Sequence, residues 1–171
     1  LSETFTRLVK EGPTPGGRNM IPGWFSWSAT IDMGREVGAT PNGRRAGAPI
    51  SHGANPDPGF RTDGAPTAMA KAIAAVQPGY GNTAPMQLEL DPGLSKEEGG
   101  TEKVAALIRT HFRLGGTLFN INIIDAEKIL AAHEDPSAYP DLIVRVTGFT
   151  AYFAALSPEF RQLVVDRIIA E

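Results

Sequence analysis

The chain has 171 residues, with Lys+Arg 16 against Asp+Glu 19 and a formal net charge of -3, which leaves no electrostatic footprint for nucleic acid or an anionic membrane. That length suffices for one compact unit hiding roughly 70% of its unfolded surface. With no cysteine, disulfides, thiolate zinc sites and cysteine-ligated iron–sulfur clusters are excluded within the chain. No apolar run approaches the roughly 18 residues that cross a bilayer, and the opening LSETFTRLVK lacks the apolar core of a secretory signal. A soluble, cytoplasmic protein forming a single unit over 1–171 is expected. From the start at Leu1 rather than methionine, a segment or processed piece of a longer protein is expected.

The stretch WFSWSATI (24–31) is aromatic and β-branched and predicts a strand. Residues 34–66 are crowded with Gly and Pro, and Pro41-Asn42-Gly43 fits a tight turn. So long a loop in a compact domain has a job or lies against a larger structure. It is neither of low complexity nor rich in Ser or charge, so an ordered loop is expected. PMQLELD (85–91) alternates Met86, Leu88 and Leu90 against Gln87 and Glu89 and predicts a strand. TEKVAALIRTHF (101–112) places Val104, Leu107, Ile108 and His111 on one helical face, and Gly115-Gly116 stops that helix. Glu97-Glu98 after Lys96 reads as a solvated turn.

TLFNINII (117–124) predicts the next strand, with Phe119, Ile121 and Ile123 opposite Leu118, Asn120, Asn122 and Ile124. Asp125 caps the following helix, whose apolar positions are Ala126, Ile129, Leu130 and His133. LIVRVT (142–147) is a third strand, with Gly148 at or just beyond its end; Ser157 and Pro158 open a last helix carrying Phe160, Leu163, Val164 and Ile168. Strands alternating with helices predict an α/β fold with parallel sheet. No internal repeat is seen.

Familiar constellations fail. There is no G-x-x-x-x-G-K-[ST] loop and no strand-linked G-x-G-x-x-G. The three histidines show no metal spacing; His111 and His133 fall on apolar faces, which favours packing or capping, while His52, in the glycine-rich loop, is a candidate substrate contact. Asn120 and Asn122 project from one strand face, where buried amides need partners. They either tie down the adjacent loop or line a reaction cavity.

Gly148 lies in RVTGFTAYF (145–153), between β-branched and aromatic residues, where glycine contributes no packing. VRVTGFTAYFAAL (144–156) resembles the C-terminal signature of the glycyl radical enzymes, which include pyruvate formate-lyase, glycerol and diol dehydratases, choline trimethylamine-lyase and aryl-acetate decarboxylases. Arg145, Val146, Gly148 and Ala151 conform to it. Thr147 stands where Ser, Ala or Cys is usual, and Phe149 where Tyr is usual. GATPNGRRAGAP and GANP (38–56), DGAPTA (63–68) and GGTLFNINIIDAEKILAAHEDPSAYPDL (115–142) resemble further family segments in order. DGAPTA and GFTAYF lean toward the dehydratase and decarboxylase branches, GRRAGAP and GANP toward the formate-lyase branch, so the branch stays open.

The resemblance implies that this is the C-terminal part of a ten-stranded α/β barrel, with the glycine loop after a strand. It also implies that Gly148 is the catalytic residue, storing a backbone radical. No cofactor or metal would be bound by the chain. The radical would be installed by a partner, a radical-SAM activating enzyme carrying S-adenosylmethionine and a 4Fe-4S cluster. The radical would then generate a thiyl on a cysteine outside this chain, in the cysteine-bearing remainder on the same or a separate polypeptide, and the thiyl would attack a small-molecule substrate. The full enzyme would be an oxygen-sensitive homodimer of anaerobic metabolism. Two other readings are a stand-alone glycyl radical cofactor that repairs a damaged formate-lyase-like enzyme, and a binding module that keeps the fold without radical chemistry.

The physical case for glycine is independent of the family. A Cα radical is stabilised when planar and conjugated with both flanking amides, and any Cβ opposes that flattening. Val146, Phe149, Tyr152 and Phe153 are expected to keep water and oxygen away.

Overall fold

The computed structural model describes residues 1–56, 65–76, 84–146 and 148–169. Its helices and strands follow in the order α1 (Ser2–Glu11), α2 (Thr30–Arg35), α3 (Ala65–Val76), β1 (Pro85–Leu90), α4 (Gly100–Leu114), β2 (Leu118–Ile123), α5 (Ala126–Glu134), β3 (Ile143–Arg145), β4 (Thr150–Tyr152) and α6 (Pro158–Ile169). The molecule is thus of mixed α/β type. No described helix is long and apolar enough to cross a membrane.

β1 and β2 pair in parallel, with Met86 opposite Phe119, Gln87 opposite Asn120 and Glu89 opposite Asn122. Because side chains alternate along a strand, one face of the pair is apolar and the other carries two amides and a carboxylate beside Asn122. Met86 on the apolar face packs with Ala70 and Ile73 of α3, and Phe119 joins them. α4, which connects the two strands, ends at Gly115, whose φ of 108° is open to glycine and hostile to side chains. His111 in its last turn is fully buried, and its Nε2 donates to Leu118 O at 3.1 Å, tying the helix end to the start of β2.

The expected strand over 24–31 does not form. Ser26 makes a single bridge with Gly53, exchanging both backbone bonds at 3.0 and 3.2 Å, and the chain enters α2 at Thr30. Gly53 has φ of 60° and turns its own segment aside after one pair. The Gly/Pro-rich loop is ordered through its described part, 34–56. Arg44 donates to the carbonyls of Val37, Gly38 and Ala48, and Gly43 N–H donates to Thr40 O at 3.0 Å to close the Pro41-Asn42-Gly43 turn. The remainder of that loop, 57–64, lies outside the described residues, as does the start of DGAPTA.

A second correction concerns the third strand. β3 does not extend the parallel pair but forms an antiparallel hairpin with β4, in register Ile143 with Tyr152, Val144 with Ala151 and Arg145 with Thr150. The sharp reversal at Gly148 delivers 150–152 straight onto the edge of β3, where they take its ladder positions. The hairpin's inner face, Val144 with Val146 and Phe153 beyond it, joins Ile124, Ile129, Ala132, Leu156, Val164 and Val165 in the main core. Val144, Val146, Phe153 and Val164 are fully buried, and each such side chain contributes about 1.5–3 kcal/mol. The hairpin is therefore held firmly on α5 and α6. Asp125 caps α5 by accepting from Lys128 N–H at 3.1 Å, and the Ser157 hydroxyl accepts from Phe160 N–H at 3.4 Å to open α6.

Candidate functional site: the glycine hairpin and its anchor

Val146 N–H donates to Phe149 O at 2.9 Å, which puts Gly148 at the tip of the β3–β4 hairpin. Gly148 has φ of 81°, a conformation an L side chain enters only with strain. A Cβ built there would lie 2.8 Å from Trp27 Cε3 and 3.2 Å from Cζ3. Backbone conformation and close approach both call for glycine at this position.

The shelter expected from four neighbours is only half present. Val146 and Phe153 are fully buried, whereas Phe149 is 36% and Tyr152 53% exposed. The register accounts for Tyr152, which pairs with Ile143 on the outer face while Val144 and Ala151 face inward. Phe149 packs edge-on against Phe160, with centroids 6.4 Å apart. Trp27 is the aromatic ring that closes on the glycine, and Phe25 supports it edge-on at 5.7 Å.

Beneath the hairpin, Arg167 of α6 reaches the backbone leading to the tip. Its Nη1 donates to Val146 O at 3.0 Å and its Nη2 to Arg145 O at 3.1 Å, while Nη1 also lies 3.3 Å from Glu89 Oε1 on β1. The Arg167 side chain is buried, 6% exposed, and that of Glu89 nearly so, 12% exposed. Burial pulls the Arg167 pKa below its ordinary value and the Glu89 carboxylate pushes the other way. An arginine at this depth stays charged and needs such partners.

His52 is 4% exposed and lines, with Arg44, Leu163, Asp166 and Arg167, a cleft of about 330 Å³. Burial, reinforced by the positive Arg167 beside it, drives its pKa down to about 3, so it is a neutral imidazole at neutral pH. Its Nε2 has no hydrogen-bond partner among the described residues, and the same holds for Gln87 Nε2, Asn122 Nδ2 and Arg167 Nε. Buried polar atoms of this kind normally find partners. Asn122 lies opposite Glu89 in the sheet and Glu89 meets Arg167, so the polar sheet face is joined to the glycine hairpin through two side chains.

His111 and His133 take no part in this arrangement. His111 packs edge-on against Phe112 and Phe119, and desolvation lowers its pKa. No group of three or more His, Asp or Glu among the described residues could hold a metal. Sequence reasoning missed Arg167 and Trp27. Arg167 had a signal, a cation in register with Leu163 and Val164 on the apolar stripe of its helix.

The fold is similar to that of part of several solved dehydratase structures. The glycerol-bound form of the B12-independent glycerol dehydratase from Clostridium butyricum superposes with a TM-score of 0.81 at 30% identity, over 97% of this chain and 21% of that one. Among curated relatives, a probable dehydratase, YbiW, of Escherichia coli is 35% identical over 162 residues, 91% of this chain and 19% of its own. The formate acetyltransferase of Haemophilus influenzae is 33% identical over 183 aligned residues, covering 100% of this chain and 23% of its own. The chain thus spans about a fifth of the length of these relatives. The family profile described as glycine radical matches residues 50–154, more than half of the chain. The chain belongs to the glycine radical family of the glycyl radical enzymes.

Proposed function

We propose that this chain is the radical-storing section of a glycyl radical enzyme of lyase, dehydratase or decarboxylase type, part of its α/β barrel, and that Gly148 carries the radical. The observation that carries the reading is Gly148 at a hairpin tip, at a φ of 81° that disfavours every side chain, within the string that resembles the family signature. Activation breaks one Cα–H bond homolytically, and the hydrogen atom leaves to a radical-SAM activating enzyme. That partner's S-adenosylmethionine and iron–sulfur cluster supply the abstraction. The unpaired electron stays on the α carbon, shared with the two flanking amides.

In turnover, Gly148 takes a hydrogen atom from a thiol, which restores the glycine and leaves a thiyl to act on a small-molecule substrate. The chain holds no cysteine, so this thiol belongs to the cysteine-bearing remainder of the enzyme. The residues here give position and shelter. Val146 and Phe153 fill the space under the hairpin, Trp27 covers one side of the glycine, and Arg167 and Glu89 fix the approach to the tip.

The test is anaerobic incubation with a radical-SAM activating enzyme and reductant, followed by electron paramagnetic resonance. A doublet is expected, from coupling of the unpaired electron to the one remaining α hydrogen. Air should then cut the chain at Gly148. Gly148→Ala should abolish both, and a doublet that persists in that variant refutes the assignment.

A further inference from the structure

We infer that Arg167 is a positioning residue for the radical, an inference that rests on the reading of Gly148 above. Arg167 sits among Leu163, Val164 and Val165 on a helix face that is otherwise core. A buried guanidinium is expensive unless its donors are used. Here the two terminal nitrogens are used on backbone, donating to two carbonyls in succession, those of Val146 and Arg145, while Nε has no partner among the described residues. The planar fork of arginine fixes the direction of both carbonyls at once, which a lysine ammonium cannot do.

The consequence lies at the tip. Val146 has its N–H bound to Phe149 O and its C=O bound to Arg167, so both polar groups of this residue, two before the glycine, are held. Glu89 then ties the same guanidinium to β1. The glycine therefore has a set location relative to the sheet, carried through four polar contacts. Hydrogen-atom transfer depends steeply on the placement of the reacting carbon, and a misplacement of about 1 Å costs roughly a hundredfold. Delocalisation of the unpaired electron depends on the same torsions, because the carbon must flatten between its two amides.

The experiment compares the anaerobically activated protein with its Arg167→Lys, Arg167→Met and Val164→Ala variants by spin count and doublet splitting, with folding checked by circular dichroism. Val164→Ala removes packing from the same helix and leaves the fork intact. Arg167→Met is expected to lose about tenfold or more of the doublet, or to change its splitting. Arg167→Lys should fall between, and Val164→Ala should keep the wild-type line shape. Equal losses in Arg167→Met and Val164→Ala, tracking stability alone, overturn the inference, as does an unchanged doublet in Arg167→Met. Should Arg167→Met fail to fold, Arg167→Lys against Val164→Ala decides in the same way. If the wild type gives no doublet, or its doublet survives Gly148→Ala, it is the reading of Gly148 that fails.

Discussion

Gly148→Ala is the central control for the radical assignment, and its structural effect can be worked out beforehand. Three effects compete. Holding alanine at φ near 81° costs about 1–2 kcal/mol. The new methyl at 2.8 Å from Trp27 must push the ring, which is 59% exposed and can swing outward. The swing forfeits the edge-on contact with Phe25, about 0.5–1.5 kcal/mol. Against these, alanine narrows the unfolded ensemble and returns about 0.4–1 kcal/mol. The net is a destabilisation of about 0.5–3 kcal/mol, below the 5–15 kcal/mol typical of a folded domain. The variant should therefore fold, and a missing doublet in it reports on radical chemistry rather than collapse.

Urea titrations followed by circular dichroism measure this directly. In a Trp27→Ala background the steric part vanishes and the torsional part remains, so the cost of Gly148→Ala should shrink by about 0.5–1.5 kcal/mol. A substitution costing nothing, or a penalty indifferent to Trp27, would show that the tip does not have the described geometry.

Two further outcomes follow from the buried histidines. His52 is held neutral with a pKa of about 3, below its ordinary 6.5, so the unfolded chain takes up a proton that the fold refuses. Its contribution is intact above pH 6.5 and is lost progressively as pH falls toward 3, reaching about 2 kcal/mol at pH 5. Chemical unfolding of wild type and His52→Gln at pH 7.5 and pH 5 should show the wild type losing more by that amount, and parallel profiles would contradict it. Gly116→Ala would drive a methyl into the fully buried His111 ring, an overpacking that costs about 1–3 kcal/mol. The loss should be partly recovered in the His111→Ala, Gly116→Ala double variant by urea unfolding, and an additive result would refute the contact.

Periodicity made the middle and end of the chain legible. The alternation of Met86, Leu88 and Leu90, the helical stripe through Val104 and Ile108, the Asp125 and Ser157 caps and the Gly115 stop all act over a few residues, and the structure has them. What depends on distant pairing was not legible. WFSWSATI has the composition of a strand, yet its partner bends away at Gly53. The third strand is legible but its neighbour is not, because periodicity says which residues are buried and nothing about which edge they meet. α3 is hard to see in the sequence because Gly/Pro crowding dominates the stretch before it, although its Ala, Met and Lys favour helix. At the glycine, RVTGFTAYF marked the position, but the aromatic ring that closes on it comes from Trp27, far away in sequence. The anchor comes from Arg167, whose importance lies in two carbonyls that no side-chain pattern encodes.

The loop ahead of α3 leaves one more mark on the sheet. Asn55 Nδ2 donates to Gln87 O at 2.9 Å and its Oδ1 accepts from Gln87 N–H at 2.8 Å, while Ala54 N–H donates to Pro85 O at 2.8 Å. A side-chain amide thus stands in for the peptide group of an adjoining strand and plugs the first half of β1. Any further strand arriving on that flank would have to evict it, so the direction in which this sheet can be enlarged is biased toward β2 by one asparagine.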